Sequence, residues 1–257
     1  MNRVKPKKCL GQHFLKNEEI AFNIASLVAS EPVDVLEIGP GTGVLTKYLI
    51  NGQCNLKLIE IDEESIAYLV AHYPSLGVEG KIIKGDFLKT DMDSIFGRPF
   101  CIIGNFPYNI SSQILFQVVE NKNLVTSVTG MFQKEVAARI CASKGSRVYG
   151  IISVIVQAFF DTKYLFTVAP ENFYPPPKVQ SAVIQLVRKQ NDELGCDQKA
   201  FIMIIKKAFN QRRKKLRNAL NPLVFNENIP PEVFHKRAEQ LSVEDYVMLA
   251  NALVTIS

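Results

Sequence analysis

The chain has 257 residues, 47% hydrophobic and 21% charged, with a formal net charge of +5, enough for one large domain and a small one. No apolar run reaches membrane-spanning length, and a basic N-terminus without a following hydrophobic segment is no secretory signal, so a cytoplasmic location is expected. Cys9, Cys54, Cys101, Cys141 and Cys196 are scattered without a Cys-x-x-Cys pair, which excludes a disulfide framework or a zinc site as the organising feature.

In chain order, VDVLEIG (33–39) reads as a buried strand and TGVLTKYLIN as the helix after it. NLKLIEID (55–62) and EESIAYLVAHY repeat the pair. KIIKGD (81–86), PFCIIGN (99–105) and LVTSVTGMF (124–132) are three more strands, the last two followed by helical SSQILFQVVE and QKEVAARICA. This alternation predicts a parallel sheet covered on both faces. TKYLFTVA and VQSAVIQLV, joined through PENFYPPPK, then predict a terminal antiparallel pair. After Arg188 the polar KQNDELGCD reads as a linker, and 197–257 as three to five short helices, broken by NP at 221–222 and PP at 230–231. The expected fold class is α/β: a Rossmann-like, mostly parallel sheet with one antiparallel edge strand in residues 1–188, and a small all-α domain in 189–257.

Charge is concentrated on two segments. Residues 1–16 hold Arg3, Lys5, Lys7, Lys8 and Lys16 with no acid. Residues 205–217 hold Lys206, Lys207, Arg212, Arg213, Lys214, Lys215 and Arg217, again with none. Either run alone reads as a solvated tail or helix face. Together, on a chain that is otherwise net acidic, they point to a polyanion, and nucleic acid is the expected partner. Residues 1–8 are expected to be a flexible basic tail, ordered by RNA. On a helical wheel Lys206, Arg213 and Arg217 share a face, with Lys207 and Lys214 beside them. Phe201, Ile204, Ile205 and Ala208 form another face, directed inward. Arg212 and Lys215 fit no single continuous helix, so a break is predicted near Asn210.

EIGPGTG (37–43) follows the first strand and opens the first helix, the ligand crevice of a doubly wound sheet. Its glycines let backbone approach a ligand closely. Val44 stands where a dinucleotide fingerprint often has its third glycine, and Glu37 precedes the first glycine by two. Acidic-x-Gly-x-Gly is the pattern of S-adenosylmethionine (SAM) methyltransferases. Glu60, at the end of the second strand, can accept hydrogen bonds from ribose hydroxyls, and Asp86 of the third strand can take an adenine amino group. An acid at position 60 also fits a nicotinamide dinucleotide, which keeps an oxidoreductase as a distant alternative. A lone glycine loop is weak, but three strand ends of this kind reinforce one another.

GNFPYNIS (104–111) ends the fourth strand without a nucleophile, acid or metal ligand. It suits an exocyclic amine, whose lone pair is delocalised into its ring. The Asn105 side-chain oxygen and the Phe106 carbonyl can accept its two N–H bonds and draw the nitrogen toward tetrahedral geometry. Pro107 fixes the turn, and Tyr108 can stack on an unstacked base. Phe173, before the prolines of ENFYPPPKVQSAV (171–183), could close the base's second face. Taken alone, these aromatics read equally well as core.

GQHFL (11–15), EIGPGTG, IEID, GD, GNFPYNIS, FYPPPKVQSAV and AFNQRRKKLRNAL (208–220) occur in this order over most of the chain. The chain thereby resembles the small-subunit ribosomal RNA adenine dimethyltransferases, the KsgA-type family. The resemblance implies SAM-dependent methylation (product S-adenosylhomocysteine) of N6 on two adjacent adenosines in the 3′-terminal hairpin loop of small-subunit rRNA. It implies four transfers per RNA, an immature small ribosomal subunit as substrate particle and a part in subunit biogenesis; a monomer is expected. It places SAM contacts on His13, Leu15, Gly39, Glu60, Asp86 and Asn105, with Gln12, Phe14, Gly41 and Ile61 in the same pocket, and gives the helical domain an RNA-binding role through its Lys206–Arg217 segment. His13 stands where many members have Asn, and Phe106 where Leu or Ile is frequent. Methylation of large-subunit RNA or DNA and a non-catalytic RNA-binding assembly factor on the same fold are the alternatives.

Overall fold

The computed structural model describes residues 4–28, 33–190 and 193–254. The chain forms two compact units, Met1–Ala137 with Thr162–Arg188, and Ala138–Asp161 with Lys189–Ser257. The strands are β1 (Phe14–Leu15), β2 (Asp34–Ile38), β3 (Asn55–Glu60), β4 (Ile82–Lys84), β5 (Phe100–Asn105), β6 (Val125–Gln133), β7 (Phe160–Val168), β8 (Phe173–Tyr174) and β9 (Ser181–Arg188). Seven make one sheet in the order β4-β3-β2-β5-β6-β9-β7, and β1 pairs with β8 in a separate ribbon.

All five residues of β2 are buried, as an apolar strand in a sheet covered on both faces requires. β2 lies parallel to both β3 and β5. The chain builds β3 and β4 on one side of β2 and then returns to lay β5 on the other, so the loops after β2 and β5 diverge and leave a crevice at their C-terminal ends. β6 is parallel to β5 and β9 antiparallel to β6. β9 sits inside the sheet and β7 takes the edge. The helix expected after β2 is regular only over Thr46–Leu49, because Gly39, Gly41 and Gly43, at positive φ, keep the preceding residues in turns.

Gly104 of β5 lies directly opposite Gly130 of β6, and the Phe106 ring lies over both. A methyl group on Gly104 would stand 2.7 Å from the Ile38 carbonyl oxygen and 2.9 Å from Phe106 Cε1, and one on Gly130 would collide with the same ring. The paired glycines make a recess for Phe106, which is buried and packs on Phe132 with ring centroids 4.9 Å apart.

In the second unit, Gln198–Asn210 is capped by the Asp197 side chain, which accepts from the Ala200 amide at 2.7 Å. It buries Phe201, Ile204, Ile205 and Ala208, the face read from periodicity. It ends at Asn210, and a short helix follows at Leu216–Ala219. The helix Ile151–Phe159 packs against Gln198–Asn210 and Val243–Ala252. This differs from a single boundary at residue 188: a helix apolar almost all round must be covered on several sides, and the C-terminal helices cover it. The flexible tail is also corrected for its described part. Val4 is buried, and Lys7 forms ion pairs with Asp62 and Glu64; Arg3 lies outside the described residues.

Candidate active site

The C-terminal ends of β2, β3 and β5 open into one pocket, lined also by Leu10–Phe14 and by Asp86–Leu88. Gln12, His13, Gly39, Gly41, Glu60, Ile61, Asp86, Asn105, Phe106, Pro107 and Tyr108 all line it. Leu15 does not; it borders a smaller cavity with Glu37, Gly39 and Asn105.

Glu60 is buried. Its Oε1 accepts the amides of Ile61 and Asp62, both at 2.9 Å, and its Oε2 accepts that of Gly41 at 3.1 Å. Burial pushes this carboxyl up, and those three amides oppose the shift. A carboxylate offers about four lone-pair sites, so Oε2 keeps room for one further donor, such as a ribose hydroxyl. Gly41 has φ +58, and a methyl group there would stand 2.8 Å from Phe14 Cε1, so only glycine brings this backbone to the carboxylate. Asp86 accepts the Leu88 amide on Oδ1 at 3.0 Å, and the Lys89 ammonium stands 3.8 Å from Oδ2. An acceptor pair on strand ends, a side-chain-free loop and the apolar Ile61, Phe87 and Leu88 fit an adenosyl group in chemistry and shape.

Glu37 is buried, and its Oε2 accepts the Thr46 hydroxyl at 2.7 Å. Burial pushes its carboxyl up to about 8, against the Thr46 bond and with the Glu60 charge adding to the rise. Between an ordinary glutamate's range, about 4.3, and about 8 the folded chain holds a proton that the unfolded chain has released. Stability on this account is greatest below that window, falls as pH rises through it and levels off above it, at about 1.4 kcal/mol per unit. Glu37→Gln keeps an acceptor for Thr46 and has no proton to hold. Thermal melts at about pH 5 and about pH 8 should therefore show a smaller fall for the variant than for the parent; parallel curves would mean that Glu37 is ionised in the fold.

Asn105 Nδ2 donates to the His13 carbonyl at 2.9 Å, which directs Oδ1 away from that bond as an acceptor. Among the described residues no donor bonds the Phe106 carbonyl, while the Phe106 amide donates to Met131 O at 3.2 Å. Tyr108 bonds Ser181 through its hydroxyl, and the His13 ring stacks on Tyr108 at 5.3 Å and 27°. His13 Nδ1 lies 2.7 Å from the Pro175 carbonyl, which only accepts, so that nitrogen carries the proton. The loops bearing residues 11–15, 105–110 and 173–181 are thus tied together.

Phe173 takes a different place from the one expected. It is 1% exposed, in the core with Leu15, Ile103 and Val183, and is not among the residues lining this pocket. Register pairs it with Leu15, and strand alternation turns its neighbour Tyr174, 45% exposed, to the other face. In the second unit Lys206, Arg213, Lys214, Lys215 and Arg217 are exposed and Lys207 partly so. Arg212 is engaged internally: its Nη2 donates to Ser146 O at 3.3 Å and its Nε lies 3.5 Å from Glu239 Oε2. Phe14, expected in the first unit's pocket with Gln12 and Ile61, lines it; sequence reasoning passed over Ser181 and Asp62 at that site. The D of IEID was the one available signal for Asp62.

This sheet order, with a glycine turn and a ribose-type carboxylate on adjacent strand ends, is the Rossmann-like fold of the SAM-dependent methyltransferases. The family described as "Ribosomal RNA adenine dimethylase" matches residues 3–254, and the chain belongs to it. It is 52% identical to "Ribosomal RNA small subunit methyltransferase A" of Bacteroides thetaiotaomicron over 98% of this chain and 95% of that protein. Among solved structures it is similar to a dimethyladenosine transferase from Plasmodium falciparum, with TM-score 0.76 and 28% identity over 92% of this chain and 96% of the other. The 23S rRNA methyltransferase ErmE shares the fold, with TM-score 0.69 and 21% identity over 93% and 99% of the two chains. No helix among the described residues is long and apolar enough to cross a membrane.

Proposed function

We propose that this protein transfers methyl groups from SAM to N6 of two adjacent adenosines in the 3′-terminal hairpin loop of small-subunit rRNA, giving N6,N6-dimethyladenosine. It acts in the cytoplasm, as a monomer on an immature small subunit, with a part in subunit biogenesis. The observation that carries the reading is the fixed Asn105 amide beside an unbonded Phe106 carbonyl in the pocket that holds Glu60. The family and its small-subunit relatives support the substrate class.

Gly39, Gly41, Glu60, Ile61 and Asp86 would hold the adenosyl group, and His13, Leu15 and Asn105 the remainder. Bound there, SAM supplies an electrophilic methyl group on a sulfonium. Asn105 Oδ1 and the Phe106 carbonyl accept the N–H bonds of the target amine and localise its lone pair. Tyr108 stacks on the flipped base with its free face, its other face being backed by His13. Placement and electrostatics do the work; the attacking nitrogen becomes acidic once alkylated, so no strong base is required. A monomethylated amine has one N–H, so the two acceptors serve the two transfers unequally. Lys206, Lys207, Arg213, Lys214, Lys215 and Arg217 hold RNA phosphates, while Arg212 supports them from within.

The test is methyl transfer from labelled SAM to small subunits lacking the modification, with large subunits and duplex DNA in parallel and product nucleosides identified. Dimethyladenosine from small subunits alone is expected. Label on large subunits or DNA would move the substrate. No label, with SAM and small subunits both still bound, would make the protein an assembly factor.

A further inference from the structure

The pocket wall formed by residues 10–14 has little regular structure of its own. β1 contributes two residues, and Lys8–Leu10 makes one turn of 3-10 helix, ended by Gly11 at φ +63. Among the described residues, the polar side-chain contacts that tie residues 7–12 to the rest of their unit converge on the end of β3. Asp62, two residues beyond Glu60, has a side chain 1% exposed. Its Oδ1 receives the Lys7 ammonium, and its Oδ2 receives Gln12 Nε2 at 3.4 Å and Ser65 Oγ at 2.8 Å. Lys7 also reaches Glu64 Oε1 at 3.1 Å, and its backbone amide donates to Gln12 Oε1 at 2.8 Å. The three residues Lys7, Gln12 and Asp62 close a ring. Gln12 and Glu60 both line the pocket.

We propose that Lys7, Gln12 and Asp62 form an electrostatic latch that holds residues 7–14 as the outer wall of the cofactor pocket, so that cofactor affinity depends on an ion pair that touches no cofactor atom. This rests on the reading that the pocket takes SAM. Asp62 is buried, so loss of Lys7 leaves a carboxylate with only neutral donors in a site of low solvation. Lys7 is 34% exposed, so the pair stays partly accessible to salt. Opening the latch lowers the fraction of molecules competent to bind and raises the apparent Kd by the same factor. The lysine that the charge pattern assigns to an RNA-contacting tail is then a positioning residue for the cofactor.

The test is calorimetric titration of the full chain with SAM across a potassium chloride series, for the parent, Lys7→Met, Lys7→Arg and Lys8→Met. Lys7→Met keeps the aliphatic stem and removes the charge. It should raise the SAM Kd about 10-fold at low salt and lose most of the parent's salt dependence, while Lys7→Arg stays within about 2-fold and Lys8→Met matches the parent. Hydrogen exchange of residues 8–14 should accelerate in Lys7→Met, and the KM for SAM should rise with kcat at saturation retained. Parent-like SAM binding by Lys7→Met overturns the latch; if rRNA affinity drops instead, Lys7 is a phosphate contact. A parent chain that binds no SAM would sink the cofactor reading itself.

Discussion

Asn105→Ala should slow the first methyl transfer about 10³-fold, the scale seen when one preorganised acceptor or donor is removed from a reacting centre. The side chain is held on one side by its Nδ2 bond to the His13 carbonyl, so its oxygen cannot turn away at little cost. The variant leaves the Phe106 carbonyl as the sole acceptor, and one acceptor cannot hold both N–H bonds of an unmethylated amine. The second transfer has one N–H to place and should suffer less. Single-turnover rates on unmethylated and monomethylated RNA separate the two steps, and a SAM titration separates chemistry from binding, since Asn105 lines the pocket proposed for SAM. Equal rates in the variant and the parent would remove Asn105 from the mechanism.

Glu60→Ala should weaken SAM binding at least about 100-fold, about 2.7 kcal/mol, without comparable loss of RNA affinity. Three backbone amides, of Gly41, Ile61 and Asp62, converge on this buried carboxylate. Removing it abolishes the ribose acceptor and leaves three donors unsatisfied, each costing about 1–3 kcal/mol unless water replaces the carboxylate. Glu60→Gln separates the two roles: it keeps an acceptor oxygen but turns an NH2 group toward at least one amide. Circular dichroism establishes that the variants fold, and titration with SAM and with rRNA reads the two affinities. SAM binding by Glu60→Ala at the parent's strength would place the ribose elsewhere.

Much of the first unit could be read before any fold was known, because its signals are local. Five of the predicted strands and the two that follow them occur as β2 to β7 and β9, since runs such as DVLEI can satisfy burial on both faces only inside a sheet. Glycines 39 and 41, Glu60, Asp86 and Asn105 meet at one pocket because parallel strands joined by right-handed crossovers bring all their C-terminal ends to one edge. The inward face of Gln198–Asn210 followed from a period of 3.6.

What composition and spacing could not give depends on partners distant in the chain. The aromatic pair at 173–174 has one ring in the core and one outside, and only the pairing of β8 with β1 selects which. Arg212 looks like its basic neighbours in sequence, yet Ser146 and Glu239 occupy it. Ile151–Phe159 falls inside the stretch 1–188 assigned to the sheet domain, yet the C-terminal helices cover it. Lys7 belongs by charge to a tail and by contact to the end of β3, because Asp62, fifty-five positions away, is buried and pairs with its ammonium. Periodicity and motif chemistry are properties of neighbouring residues and survive in the sequence alone; burial, pairing and the neutralisation of a buried charge are properties of the folded surface and exist only once distant segments meet.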